Sequence, residues 1–525
     1  MKDFFDSQRP RYAMLSHVWE EEEVSFSEFQ LFRNSSRMKT AYTKARQLND
    51  CVTFDTVVQD LALQDALGAL KSVANGQNLT DGFQTELQDP AEHENLIEQR
   101  KGFVKIVKCC EEARALDIKW VWIDTCCINK RSSAELSEAI NSMFKWYAEA
   151  YRCLIYLPDV QTESTQTQRY DQIKRSKWFS RGWTLQELVA APHRMFYGAD
   201  WGFLGIIPDL QITRFVKYDP TFARVVSEAA KIPADVLLRQ RSISDCCIAQ
   251  RMSWAANRQT TRGEDMAYSL MGIFDVNMPI LYGEGAENTF HRLQQEIIRE
   301  SSDQSVFAWA QAAEGSTVRS SGFGFLASTP RDFLIENKDG TPAIIEQYAE
   351  NLEPHVMTNV GLSLSLRLDR NGEKDPDDPD WVREATVTKP VVAELQCFIG
   401  KGEHRTCLAV LLESIPEVNV SINSVTLLAF RRISRHWLMR TSAKHFEGQP
   451  YEQIVILRDE QVYQAKKKAD EVMAQHEREM RYQRSLSPTT SGSPSSIKDR
   501  AKGFIHRHRR STQTSTTDPG LTSSP

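Results

Sequence analysis

Lys119-Trp-Val-Trp-Ile-Asp124-Thr-Cys-Cys-Ile-Asn-Lys130 decides the fold class. Its apolar residues run almost unbroken into an aspartate and a polar turn, which is the pattern of a parallel strand covered on both faces. Upstream, Phe103, Ile106, Val107, Cys110 and Ala113 recur at helical spacing up to Leu116. Downstream, Leu136, Ile140, Met143 and Tyr147 mark the inner face of a helix over Ser133 to Ala150.

The same alternation extends in both directions. Tyr12-Ala-Met-Leu-Ser-His-Val-Trp19 reads as a short buried strand, Arg152-Cys-Leu-Ile-Tyr-Leu157 as a third and Arg194-Met-Phe-Tyr197 as a fourth. Strand and helix alternating in this way predict a parallel sheet flanked by helices. In such sheets ligands bind beyond the carboxyl ends of the strands. Those ends carry Ser16 to Trp19, Asp124 to Lys130, and the loop from Pro158 towards Glu187.

Ser176-Lys-Trp-Phe-Ser-Arg-Gly-Trp-Thr-Leu-Gln-Glu-Leu-Val-Ala-Ala-Pro192 places a single carboxylate among aromatic and small apolar residues. With a helix beginning near Ser180, Trp183 and Glu187 stand one turn apart on one face. Thr184-Leu-Gln-Glu187 equally fits a capping box, with Trp183 and Leu188 as its hydrophobic staple. Both readings stand at this level. So do the bland readings of the neighbours: Trp19 and Trp183 as core, Asp124 as the fixer of its own turn, Cys126 and Cys127 as packing.

The length of 525 residues predicts roughly two to four domains. An apolar fraction of 41% and a charged fraction of 26% are those of an ordinary soluble protein. No run approaches the length of a membrane span, and Met1 to Pro10 lacks a signal-peptide core, so a cytoplasmic protein is expected. Ten cysteines, including three adjacent pairs, show no zinc spacing and predict reduced, mostly buried thiols and no metal. The net charge of −6 combines +6 from Lys466 onward with −12 before it, and an acidic body argues against a nucleic-acid-binding surface.

Between Glu20 and about Arg100 lies an insertion with a helical pattern at Val57 to Lys71 and a polar stretch, Asn75 to Asp89, expected to be a mobile loop. Beyond Phe203 the pattern turns helical: Thr221 to Lys231, Ile243 to Ala255, Asp265 to Phe274, and a helix with Phe290, Leu293 and Ile297 inward. Gly283-Glu-Gly285 lacks the rest of a phosphate loop and reads as a turn. From about Ser320 the period becomes two, with Leu362, Leu364, Leu366 and Leu368 alternating, and a small β-rich domain is expected with Asp369 to Asp380 as a loop. Gln461 to Tyr482 is a charged helix, and Gln483 to Pro525 a disordered Ser/Thr/Pro tail. Its Arg507-His-Arg-Arg510 is either solvated or a nuclear-import patch.

Tyr12 to Trp19, Trp122-Ile-Asp-Thr-Cys-Cys-Ile-Asn-Lys130 and Arg181-Gly-Trp-Thr-Leu-Gln-Glu187 together resemble the fungal heterokaryon-incompatibility (HET) domain. Arg262 to Phe274, Tyr282 to Gly285 and Ser305 to Trp309 resemble the helical region that follows it. The resemblance covers about residues 10 to 310 and implies a role in vegetative incompatibility and programmed cell death. It implies other incompatibility proteins, or a second copy of the chain, as partners. A more distant resemblance, to Toll/interleukin-receptor (TIR) domains, implies a TIR/flavodoxin-like sheet. In catalytic TIR domains the glutamate of Trp-x-x-x-Glu supports cleavage of NAD, and that position is Glu187 here. The resemblance therefore implies NAD as substrate rather than cofactor. By side-chain chemistry, Trp19 and Trp183 could stack on its bases and Ser16, Asn129 and Lys130 could hold ribose and phosphate, with Asp124 grouped among these substrate-binding candidates. An ordinary glutamate pKa would leave Glu187 charged at neutrality, able to stabilise an oxocarbenium-like ribose. Lys130 departs from the glutamine usual in HET domains, and Thr184 from the cysteine usual in TIR domains. The organisation expected is a HET domain over 1–205, a helical region over 206–315, a β-rich domain over 316–465, and a charged helix with a basic tail over 466–525.

Overall fold

The five strands β1 (Ala13–Ser16), β2 (Val121–Trp122), β3 (Arg152–Tyr156), β4 (Arg194–Tyr197) and β5 (Phe203–Ile207) form one sheet in the order β2-β1-β3-β4-β5. Strands β1 to β4 are parallel, and β5 runs antiparallel to β4. The structure is a computed structural model that describes residues 9–34, 100–212, 217–311 and, with breaks, 324–486.

Side chains along each strand alternate between two cores, as strand geometry requires. Met14, Cys153, Ile155 and Phe196 pack on one face with α3 (Ser133–Glu149) and α5 (Trp183–Ala190). Ala13, Leu15, Leu154 and Tyr197 pack on the other with α1 (Phe26–Asn34) and α2 (Lys101–Ala115). The continuous apolar reading of these strands thus reflects burial on both sides. Helix α4 (Gln166–Arg175) starts with a capping box made by Thr165 and Gln168.

Two local expectations are corrected. Phe203–Ile207 is a strand, not the start of a helical stretch; Gly205 sits where a Cβ would lie 2.7 Å from the Phe222 ring, so the strand lies tight against the following helix. The segment before Glu187 is a 3-10 turn, Lys177–Ser180, capped by Ser176, and the helix begins only at Trp183.

Beyond the sheet come Pro220–Ala230, Ile248–Ser253, Ala286–Glu300 and several single helical turns. The alternating leucines form the strand Gly361–Asp369 of a nine-stranded sheet. Within it Val425–Arg432 pairs with both Tyr451–Leu457 and Thr406–Ser414, which closes five of the strands into a ring. Buried amides join it to the helical region: Gln304 donates to Ser365 O and accepts from Gln396 N–H. One core cluster accordingly runs from Met14 to Ile456. The chain to Tyr463 is one compact unit; Gln464 onward is a second, whose described part belongs to the helix Asp459–Leu486.

Most of the insertion, including Val57 to Lys71 and Asn75 to Asp89, lies outside the described residues. So do most of Asp369 to Asp380 and the tail beyond Leu486, with Arg507 to Arg510. Among the described residues no helix is long and apolar enough to cross a membrane.

Candidate functional site

Ser16 is the last residue of β1, and its hydroxyl donates to Glu187 Oε2 at 2.5 Å. The same Ser16 oxygen accepts the indole N–H of Trp178 at 2.8 Å. Tyr147 of α3 donates to the Leu15 carbonyl at 3.1 Å and lies beside Glu187. Glu187 therefore reaches across to the end of an inner strand. The capping reading is overturned: α5 has no side-chain N-cap bond, and the Thr184 hydroxyl turns to the carbonyls of Trp178 and Arg181.

Arginines bind oxygen acceptors at both ends of this eight-residue helix, and act as caps only at its carboxyl end. At its start, the buried Arg258 donates to Arg181 O at 2.9 Å and to Thr184 Oγ1 at 3.0 Å. At its end, Arg194 donates to Leu188 O at 3.0 Å, and Arg239 to Val189 O and Ala190 O. Cations on the last carbonyls satisfy orphan acceptors and oppose the helix dipole.

Beside Glu187 a second network begins at His17. Its Nε2 lies 3.0 Å from Asp124 Oδ1, while Nδ1 lies 3.1 Å from Lys105 Nζ and 3.5 Å from Glu23 Oε1. Lys105 also pairs with Glu23. Asp124 opens the single helical turn Asp124–Cys127, and its Oδ2 accepts the Trp19 indole N–H at 2.7 Å. The Lys130 ammonium sits 3.3 Å from the centroid of the Trp19 ring.

Burial dominates the electrostatics. Glu187 is 6% exposed, and desolvation with the nearby Asp124 charge raises its pKa to about 7, against the pull of Ser16 and His17. The expectation of an ordinary glutamate, fully charged at neutrality, is corrected accordingly. Burial disfavours the His17 cation, but hydrogen bonds to Asp124 and Glu23 outweigh it and raise its pKa to about 9. The Asp124 pKa is lowered: burial acts against this, but the bond to His17 and its charge prevail.

The sheet edge thus brings together Ser16, Trp19, Asp124, Lys130 and Glu187. Asn129 and Trp183 are turned to other tasks. Asn129 Oδ1 accepts Arg131 N–H at 3.2 Å within its own turn, and Trp183 hydrogen-bonds Asp265. Sequence reading missed Trp178, Glu23, Lys105, Tyr147 and Arg258. Each is brought to the site by tertiary packing rather than by local spacing; Trp178, in a quoted motif, and Tyr147, on the inner face of its helix, left a trace in the sequence without pointing to the site. No disulfide joins the cysteines of the described residues, and no group of three His, Cys, Asp or Glu among those residues suits a metal ion.

The Heterokaryon incompatibility protein (HET) family model matches residues 80–172, which include β2, the Asp124 turn, α3 and β3. A domain of unknown function, DUF8212, matches residues 288–333. Vegetative incompatibility protein HET-E-1 of Podospora anserina is 42% identical over 200 residues, which are 37% of this chain and 14% of that protein. The chain thus spans only a small part of that relative's length. No solved structure matches. With the family match falling on the strands and turn that carry Asp124 and flank Ser16, this part of the chain is a heterokaryon-incompatibility (HET) domain.

Proposed function

We propose that the chain is an effector of vegetative incompatibility whose sheet domain hydrolyses NAD at the nicotinamide–ribose bond, with Glu187 as the stabilising carboxylate. The observation that carries this reading is a buried carboxylate beside the end of an inner parallel strand, held by Ser16, with its pKa raised to about 7 by burial and the Asp124 charge. The β2-β1-β3-β4-β5 order supports the TIR-like part of the reading, since it reverses at β1/β3, where ligands bind in such sheets. In the reaction the C–N bond breaks, its electron pair stays on the nicotinamide nitrogen, and water adds to C1′ with loss of a proton. The Glu187 anion offsets positive charge that exists mainly in the transition state. The exposed Trp19 face and Lys130 offer a stacking surface and a phosphate contact.

A second reading is favoured by one observation: at 6% exposure, the Glu187 carboxylate meets a substrate only after its surroundings move. In this reading the sheet domain is a non-catalytic module that acts by self-association or by binding other incompatibility proteins, in the cytoplasm, with Glu187 holding β1 to α5. The test is full-length protein incubated with NAD, with nicotinamide release measured for the native chain and Glu187→Gln. Release that the substitution abolishes supports hydrolysis. No release from protein that still triggers cell death on expression supports the second reading.

A further inference from the structure

We infer that Arg258, supplied by the helical region after the sheet domain, is a positioning residue for Glu187: it ties down the start of the Glu187 helix and holds a positive charge behind it. The backbone of this region meets the Ser180–Thr184 segment directly. Gln259 N–H donates to Ser180 O at 2.7 Å, and Gly182 N–H donates to Gln259 O at 2.8 Å. A Cβ at Gly182 would lie 2.4 Å from Thr260 Cγ2, so glycine is what permits the approach. Arg258 follows through this contact. It is 5% exposed, its Nε donates to Trp254 O at 3.2 Å, and its Nη1 holds both Arg181 O and Thr184 Oγ1. Thr184 lies three residues before Glu187, hence on the same side of α5.

Hydrogen bonding alone does not account for this arginine. Its Nη2 has no hydrogen-bond partner among the described residues, an expensive state for a buried guanidinium. Desolvation brings its pKa down to about 9, and Glu187 is the charge that works in the other direction. Coulombic attraction is mutual, so Arg258 favours the ionised form of Glu187 in turn. The remaining groups around that carboxylate are Ser16 and His17 at the end of β1, Asp124 after β2, Tyr147 of α3 and Cys153 of β3. The inference concerns the ionisation of Glu187, not what it acts on, and is decided independently of nicotinamide release.

The experiment measures melting temperature from pH 5 to 9 for the full chain with and without Glu187→Gln. The pH at which the advantage of the glutamine variant levels off marks the Glu187 titration. Replacing Arg258 by Met should move that point up, and Arg258→Lys, which keeps the charge, should leave it in place. A point that does not move in Arg258→Met, even where stability falls at every pH, overturns the inference. Should that variant not fold, Thr184→Val loosens the same guanidinium; an upward move there supports the inference and none overturns it.

Discussion

Ser16 and Glu187, 171 positions apart, share a hydrogen bond that joins the end of β1 to helix α5, and Trp178 completes the chain from behind. Ser16→Ala removes the donor to Glu187 and leaves the Trp178 indole N–H, on a fully buried side chain, without its acceptor. The expected cost is about 1–3 kcal/mol of unfolding free energy. Because the Ser16 bond favours the ionised carboxylate, the Glu187 pKa should also rise further. Denaturant unfolding of the variant checks the first effect, and its pH dependence the second.

The raised pKa of Glu187 sets the sign of a stability change with pH. Its folded value of about 7 lies above the ordinary 4.5, so between these limits the native state binds more protons than the unfolded one. Stability from this group is complete below pH 4.5 and falls as the pH rises to about 7. Glu187→Gln does not titrate. Its advantage over the native chain should therefore grow across that window to at most about 3 kcal/mol, then level off. Equal pH profiles for the two proteins would show that Glu187 titrates as an exposed glutamate does. A residue that costs stability at neutrality is the kind kept for function.

The sheet was legible because burial on both faces leaves an apolar run: 194–197 matches β4 residue for residue, and Arg152 to Leu157 overshoots β3 by one. Strand β5 was not legible, since Gly205 interrupts a run of only five residues and its partner is set by the turn after β4. The alternating leucines of Gly361–Asp369 gave a strand whose leucines join the core with the helical region, but Ser363 and Ser365 on the opposite face are about as buried as they are, a burial that alternation alone does not predict. At the site, spacing brought out Ser16, Asp124 and Glu187 but misled on Thr184. An S/T-x-x-E match specifies a cap only when the hydroxyl is free, and here tertiary contacts to Trp178 O and Arg258 claim it.

Asp124 is the shared acceptor of His17 and Trp19, so Asp124→Asn should act on both. The folded His17 pKa of about 9 exceeds its ordinary value of 6.5. Its contribution is therefore full below pH 6.5 and is lost as the pH rises through about 9. In the asparagine variant the histidine loses its main source of proton affinity, and stability should drop most at pH 6 to 7, leaving a flatter profile up to pH 9. Thermal melts over this range test the sign: an unchanged slope would mean Glu23 alone holds the His17 proton.

Gly272, in the helical turn Met271–Phe274, is a point where the helical region packs very closely on α3. A Cβ there would lie 2.1 Å from Phe144 Cβ and 2.4 Å from its Cγ, atoms fixed near the α3 backbone and unable to swing aside. Gly272→Ala should force the turn and α3 apart at a cost of about 1–3 kcal/mol, since a packed interior has no slack for an added methyl. Helix α3 also carries Tyr147, whose hydroxyl stands between Leu15 O and Glu187. The displacement should therefore reach the site: alongside the lower melting temperature, the pH at which Glu187 titrates should shift, whereas a loss of stability without that shift would confine Gly272 to packing.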